Sequence, residues 1–316
     1  MGRIASLSGT KDRPTLAALA ASRHGVVSTV ELLAADLTRK EIHHLVEIGF
    51  LHPRHRGVHA VGRPDVSFEG ACRAAVLACG DESAISQNTA GRIHRFRQSF
   101  GRIHVSGPRS LEGHPGLIVH RPRSLPLDDI VERDGIAVTT VARTLLDMSP
   151  GTPVDTIGRW IHEAGVQGVI DLREVWACCE RQQHHRGRGR LLAALALEVA
   201  PTRSGLEDAF LPLSRRAGLP KPVVNGQLWS GEALEEVDFH YPGLGLIVEV
   251  DGDRVHGSRW RRRKDAAKDE RFRTVGWTVH RVPELQIVLA PDAVIATLAT
   301  LGRPLIPVGH ARQPNA

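Results

Sequence analysis

The chain has 316 residues, room for two or three domains with their own cores, and its 41% hydrophobic and 24% charged content is that of an ordinary soluble globular protein. No apolar run is long enough to cross a bilayer and no signal-peptide pattern opens the chain, which points to a cytoplasmic protein with no membrane partner. A net charge of +6 permits a nucleic-acid partner without requiring one.

Residues 12–62 read as three helices and a hairpin. Leu16 to Ser22 is rich in Ala and Leu and stops at His24-Gly25. Ser28 is placed to cap a helix over Thr29–Ala35. Thr38 is placed to cap a third that runs to Ile48, with Glu41 completing a T-x-x-E capping box and Gly49 ending the helix. Leu51 to Val61 (LHPRHRGVHAV) alternates around Gly57 like a β wing. This is the layout of a winged helix-turn-helix. The pattern GVVS…L…T…GFL…RGVHAVG resembles the N-terminal domain of the AbiEi-like type IV antitoxins. In that layout Arg39, Lys40 and His43 lie on the recognition helix and Arg54 and Arg56 on the wing, as DNA contacts. Glu41 and Glu47 on the same helix oppose phosphate approach, and a small helical domain that contacts only proteins would fit the same pattern.

Residues 65–150 form a second unit. Phe68–Cys79 has helical amphipathicity, and SQNTAGRIHRF (86–96) reads as another helix with Ser86 or Asn88 near its start. Three β-like runs follow at Arg102–Ser106, Leu117–His120 and Ile136–Thr139. GIAVTTVARTLLDMS (135–149) then reads as strand, cap and helix, with Thr140 as N-cap. The arrangement also resembles the AbiEi-like family, so that likeness spans nearly the first half of the chain. No catalytic constellation stands out here: His94, His104, His114 and His120 read as surface or packing residues.

Residues 151–203 read as a helical connector. Cys178 and Cys179 sit inside one of its helices, where packing accounts for them. With Cys72 and Cys79 they form no CxxC pair, and no HExxH occurs, which argues against a disulfide framework or a structural zinc site. RQQHHRGRGR (181–190) is a basic turn with a hinge expected between His184 and Gly189, and Pro201 marks the next boundary.

A helix begins at Ser204 (SGLEDAFLPLSRRAG), and Pro212 predicts a kink or an early end. Strands EEVDFHY (235–241) and LGLIVEVDG (244–252) flank a tight PGLG turn. A charged helix (259–276), a strand GWTVHRV (276–282) and a helix from about Pro291 follow. Alternation places Ile247, Glu249 and Asp251 on one face and Leu246, Val248 and Val250 on the other. Glu249 interrupts an apolar strand, which is costly unless the carboxylate is paired or holds a cation. Across the turn Asp238 falls close to opposite Val248 and Glu249. Two carboxylates on neighbouring strands suit a hard divalent ion such as Mg²⁺, which can activate water and stabilise charge on a phosphate. Basic charge concentrates beside them: residues 251–281 hold ten Lys/Arg against five Asp/Glu, almost the whole net charge of the chain. Arg259, Arg261, Arg262, Lys264 and Lys268 in this stretch are candidate DNA contacts.

The run SGLE…EVDFHYPGLGLIVEVDGDRVHG…KDAAKDERFRTVGWTVHRV resembles the very-short-patch-repair-like endonuclease domain. Its order α-β-β-α-β belongs to the αβββαβ core of the PD-(D/E)xK, restriction-endonuclease-like fold. By position, the resemblance makes Glu207 a helix acid that reaches the metal directly or through water, Asp238 the central ligand and Glu249 the second. The ion implied is Mg²⁺, with Mn²⁺ as a substitute. Asp251 stands where the general motif has its lysine. Lys264, Lys268 or His256 could serve in that lysine's place, and His256 is also a candidate general acid or base. Asp265 and Asp269 would orient Arg271 or nearby backbone. Simpler readings compete. Glu207 has the N3 spacing of a capping box on Ser204, Asp251-Gly252 could be a turn, and Asp265 and Asp269 could be solvated i,i+4 partners of Arg or Lys.

The expected fold class is α+β and multidomain: a winged helix-turn-helix (1–64), a small α+β domain (65–150), a helical connector (151–203) and a restriction-endonuclease-like domain (204–310). The expected function is Mg²⁺-dependent endonucleolytic hydrolysis of double-stranded DNA, and the resemblance allows a homodimer that cuts both strands. The alternative is an AbiEi-like antitoxin and transcriptional autoregulator with an inactive nuclease-like domain and a cognate toxin as partner.

Overall fold

The structure, a computed structural model, describes residues 16–98, 101–108, 116–199, 203–251 and 259–302. It is a mixed α/β protein of two compact units, Met1–Arg188 and Gly189–Ala316, so the junction falls inside the segment expected as a connector. Among the described residues there are three sheets, and no helix is long and apolar enough to cross a membrane.

In the first unit, helical residues 16–21 stop where His24 and Gly25 turn left-handed, at φ +53° and +78°. Strand β1 (Val26–Ser28) runs into helix α1 (Thr29–Ala34), and helix α2 (Arg39–Glu47) follows. Both helices start with a capping box. Ser28 and Thr38 accept from the backbone N–H three residues on, while Glu31 and Glu41 accept from the cap residue's own N–H. Strands β2 (Leu51–His55) and β3 (Val58–Val61) form a hairpin whose turn Gly57 allows at φ +72°. With β1 they make an antiparallel sheet of order β1-β3-β2. Leu16, Val27, Leu32, Ile42, Leu45 and Leu51 fill the core beneath it.

Helix α3 (Phe68–Cys79) joins this module to a second sheet. Its Ala74 shares a buried cluster with Val26 and Val58, while Cys72 and Ala75 pack with Ile85 and Val105. Gly70 makes the approach possible. A Cβ there would lie 2.6 Å from the carbonyl oxygen of His24, a backbone atom that cannot swing aside. Gly70→Ala is therefore expected to lower stability by about 1–3 kcal/mol, read from the urea midpoint; an unchanged midpoint would show that the contact is not tight. Arg73 on the same helix bonds the backbone of Val26 and Gly135 and pairs with Glu31 at 2.6 Å, reinforcing the join.

The second sheet has the order β6-β5-β4-β8-β7, built from β4 (Ala84–Ile85), β5 (Ile103–Ser106), β6 (Leu117–His120), β7 (Ile130–Arg133) and β8 (Ile136–Thr139). Helix α4 (Gln87–Ile93) follows β4, and helix α5 (Val141–Met148) begins at Thr140, whose hydroxyl accepts from Arg143 N. Helices α6 (Val154–Val166) and α7 (Leu172–Arg181) come next, and α8 (Arg188–Val199) opens the second unit. All four cysteines are free. Burial pushes the Cys178 and Cys179 thiols up to about 12, which keeps them protonated packing groups.

Of the histidines, His94 is buried and bonds the Thr139 carbonyl, while His104 and His120 stack on neighbouring strands with Nδ1 and Nε2 2.9 Å apart. His114 lies outside the described residues. Burial, then the neighbouring His120, then Arg102, bring His104 down to about 4 from 6.5. Between those two values the unfolded chain binds more protons than the folded one. Stability is thus full above the ordinary histidine value and is lost as pH falls toward the folded one. His104→Gln should flatten this fall, seen as urea midpoints that diverge less from pH 7 to pH 4.5 than in the wild type; parallel curves would show that His104 does not drive it.

In the second unit, helix α9 (Arg203–Arg216) continues through Pro212 to Arg216, so the early end expected from the proline does not occur. Strands β9 (Val223–Trp229), β10 (Leu234–Tyr241) and β11 (Leu246–Asp251) are antiparallel neighbours. Helix α10 (Arg259–Thr274) then leads to β12 (Thr278–Pro283), parallel to β11, in the order β12-β11-β10-β9. Helices α11 (Glu284–Leu289) and α12 (Pro291–Leu301) close the unit. The alternation read from β11 holds. Leu246, Val248 and half-buried Val250 pack with Phe210 of α9, Ile287 of α11 and Leu298 of α12, whereas Ile247 packs with Phe272 of α10. The sheet is covered on both faces, and Glu249 and Asp251 point to the α10 side.

Candidate active site

The site begins with an irregularity in β10. Val237 packs on the α10 side with Ile247 and Phe272, yet Phe239 and Tyr241, which share its parity, pack on the other side with Val248 and Leu246. His240 in turn meets Trp277 of the α10-side cluster edge-on, at 5.9 Å. The alternation slips by one residue at Asp238. Opposite it in β9, Asn225 holds φ +50°, and the Asp238–Asn225 pair drops out of an otherwise continuous ladder. Such breaks re-aim side chains, as β-bulges do. Here the released Asp238 carboxylate turns along the sheet and accepts from Val250 N at 2.7 Å, taking a place that a backbone carbonyl would fill.

Glu249 is the next residue across. The β10–β11 register pairs Phe239 with Val248 and so sets Asp238 opposite Glu249. Glu249 is only 8% exposed. Burial raises its carboxyl above the usual range and the adjacent Asp238 carboxylate pushes the same way, while Lys268 opposes both. The Lys268 ammonium, delivered from α10, sits 2.7 Å from Glu249 Oε1 and 2.7 Å from the Glu236 carbonyl oxygen. It therefore bridges β10 and β11 at the point where the two acids meet. Lys268, expected as a DNA contact or a stand-in for the motif lysine, is half-buried against the acid pair.

Glu207, the third acid, is in α9, and its Oε1 accepts from Asn225 Nδ2 at 2.8 Å. Asn225 thus links Glu207 to the strand position facing Asp238. The structure brings Asp238 and Glu249 together and leaves Glu207 one residue removed from them. Among the described residues no group of three or more His, Cys, Asp or Glu side chains is arranged to hold a metal ion.

Asp251 accepts from Arg281 Nη1 at 2.7 Å. The resemblance makes Asp269 a residue that orients Arg271 or nearby backbone, but here its carboxylate is on Arg281. Asp269 is buried and takes the other edge of Arg281, at 2.7–3.2 Å. Arg271 instead reaches Glu235 at 2.6 Å, because two residues turn the helix by about 200°, from the side that faces β12 to the side that faces β10. Asp265, Lys264 and Arg263 are exposed on α10. His256 and the side chains of Arg259, Arg261 and Arg262 lie outside the described residues. Arg281 and Asn225 carried no signal in the sequence: one is part of an ordinary-looking strand end, the other of an Asn-Gly pair.

On the first unit, Arg39, Lys40, His43 and His44 are exposed on α2, and Arg54 and Arg56 on β2 and the following turn. The two acids expected to repel phosphate are partly spent. Glu41 is held in its capping box, and Glu47 lies 3.2 Å from His43.

No protein-family model and no curated protein matches this chain.

Proposed function

We propose that the Gly189–Ala316 unit is a divalent-metal-dependent endonuclease acting on double-stranded DNA, and that the exposed bases of α2 and β2 belong to a winged helix-turn-helix that holds the duplex. The observation that carries this reading is the Asp238–Glu249 pair at a break in the strand alternation, with Lys268 against it. Two adjacent carboxylates suit Mg²⁺, which commonly uses one or two of them and keeps its remaining positions for water and phosphate. Asp238 and Glu249 would hold the ion, and Glu207, steadied by Asn225, would act from outside through water. Bound there, the ion would supply Lewis acidity and a more acidic water.

The chain's own residues do the rest. The Val250 amide fixes the Asp238 carboxylate in one orientation. Burial makes an uncompensated charge on Glu249 costly, so that carboxylate favours a cation beside it. Lys268 supplies a fixed positive charge at the acid pair, where the general motif would place its lysine from Asp251's position. Arg263 and Lys264, exposed on α10, would be available to phosphate.

A second reading is an AbiEi-like autoregulator with an inactive nuclease fold, favoured by the Lys268–Glu249 ion pair, which already neutralises one of the acids. Plasmid nicking with Mg²⁺ or Mn²⁺ separates the two. Cleavage lost in Asp238→Asn supports the enzyme. Absence of cleavage by the wild type with either ion, together with a gel shift that is lost in Arg39→Ala/Lys40→Ala, supports the regulator.

A further inference from the structure

Asp251 occupies the motif's lysine position, but it is not idle. Arg281 of β12 spreads its guanidinium between two acids, with Nη1 on Asp251 of β11 at 2.7 Å and Nε and Nη2 on Asp269 of α10 at 2.9 and 2.7 Å. All three side chains are largely buried, at 11–14% exposure. Burial of so many charges is stabilising only when the geometry is good and the lone pairs are taken up, and the planar fork of Arg meets that condition as Lys could not.

Lys268 is the residue before Asp269. On an α-helix consecutive side chains diverge by about 100°, so fixing Asp269 toward β12 leaves Lys268 facing the strands beside it. Its ammonium then reaches Glu249 on β11 and the Glu236 carbonyl on β10. Arg271, three residues after Lys268 and so on the same side of the helix, reaches Glu235 on β10.

We propose that Arg281, clamped by Asp251 and Asp269, is a positioning residue that seats Lys268 against the Asp238–Glu249 pair. In this arrangement the acid at position 251 does not replace the missing lysine. It anchors the arginine that aims a lysine from the helix, so the positive charge enters the site from α10 instead of β11. The inference rests on the proposed nuclease site.

The test is a double-mutant cycle on the full-length protein, with the dissociation constant for Mn²⁺ measured by calorimetry and thermal melts run alongside to confirm folding. Lys268 competes with a cation for Glu249, so Lys268→Ala should bind Mn²⁺ about three- to tenfold more tightly. Arg281→Lys keeps a positive charge but loses the fork. It should release Lys268 and shift affinity in the same direction, and the double variant should bind no more tightly than Lys268→Ala alone. An Arg281→Lys affinity equal to that of the wild type, or an effect that adds in full to that of Lys268→Ala, overturns the positioning role while leaving the active site standing. Absence of Mn²⁺ binding by the wild type removes the active-site reading and this inference with it. Asp251→Asn serves if Arg281→Lys does not fold: a tightening smaller than that of Lys268→Ala supports the clamp, and unchanged affinity counts against it.

Discussion

Asp238→Asn is expected to lower Mg²⁺-dependent plasmid nicking by at least about 10²-fold, the scale seen when one preorganised electrostatic partner is removed from an active site, while leaving the melt nearly unchanged. The separation follows from the two roles of the side chain. One Asp238 oxygen accepts from Val250 N where the ladder is broken, and the amide oxygen of Asn can take that bond over. The negative charge it cannot replace. Asp238→Ala loses both, so it should be as inactive as Asp238→Asn and less stable by about 1–3 kcal/mol, the cost of an amide left without an acceptor. Glu249→Gln should be similarly inactive, since it removes the buried charge that Lys268 now faces. Nicking rates and urea midpoints measured on the same preparations decide the matter. Wild-type-like nicking in all three variants would sink the site assignment, and equal midpoints for the Asn and Ala variants would show that the Val250 bond carries no stability.

Features of this chain that were legible in its sequence are local. The Thr38–Glu41 box, the Ser28 cap and the Thr140 cap each depend on residues within one turn, the Phe68–Cys79 helix on a period within one segment, and the structure has them where the spacing put them. The two faces of β11 were legible for the same reason, since alternation is a property of neighbours. The slip at Asp238 was not. It depends on the β9 residue opposite, and Val223–Trp229 does not read as a strand because Asn225-Gly226 in its middle has the composition of a hairpin turn. Gly226 is there for space: a Cβ would run into the His240 ring. Likewise the basic run of α10 looks uniform as a string of letters. Only the seating of the helix decides that Lys268 goes to Glu249, Asp269 to Arg281 and Arg271 to Glu235. The pairing of Asp251 with Arg281 spans thirty residues and two strands, and nothing local announces it. Strand β4, two residues long at the centre of its sheet, is too short for any period to register.

The largest effect on stability is expected at Arg143, a residue of no evident distinction in the sequence. It is fully buried on α5. Nε donates to Asp147 at 2.9 Å and Nη1 to Asp129 at 2.8 Å and to the Ser124 carbonyl at 2.9 Å. Asp129, also fully buried, is held from α7 by Arg181 at 2.8 Å and by Gln182 at 3.2 Å. Arg143→Met fills similar space but strips a buried carboxylate pair of its shared cation, which should cost about 3–5 kcal/mol. Most of that falls on Asp147, which keeps His185 at 3.3 Å, because Asp129 retains Arg181. Arg181→Ala should cost far less, about 1 kcal/mol or under, since its side chain is 39% exposed and water can screen what it leaves behind. Pairing Arg143→Met with Asp147→Leu should recover part of the loss, because the penalty is that of an unpaired charge and not of a missing attraction. Urea unfolding of the wild type, the single variants Arg143→Met, Asp147→Leu and Arg181→Ala, and the double variant tests this. A cost below about 1 kcal/mol for Arg143→Met, or a double variant worse than either single one, would mean that packing alone joins α5 and α7. The cluster lies in the unit that carries the exposed bases of α2, yet it contains none of them. Arg143→Met should therefore reduce the amount of protein able to bind a duplex and leave the affinity of the folded fraction as it was, whereas Arg39→Ala should do the reverse.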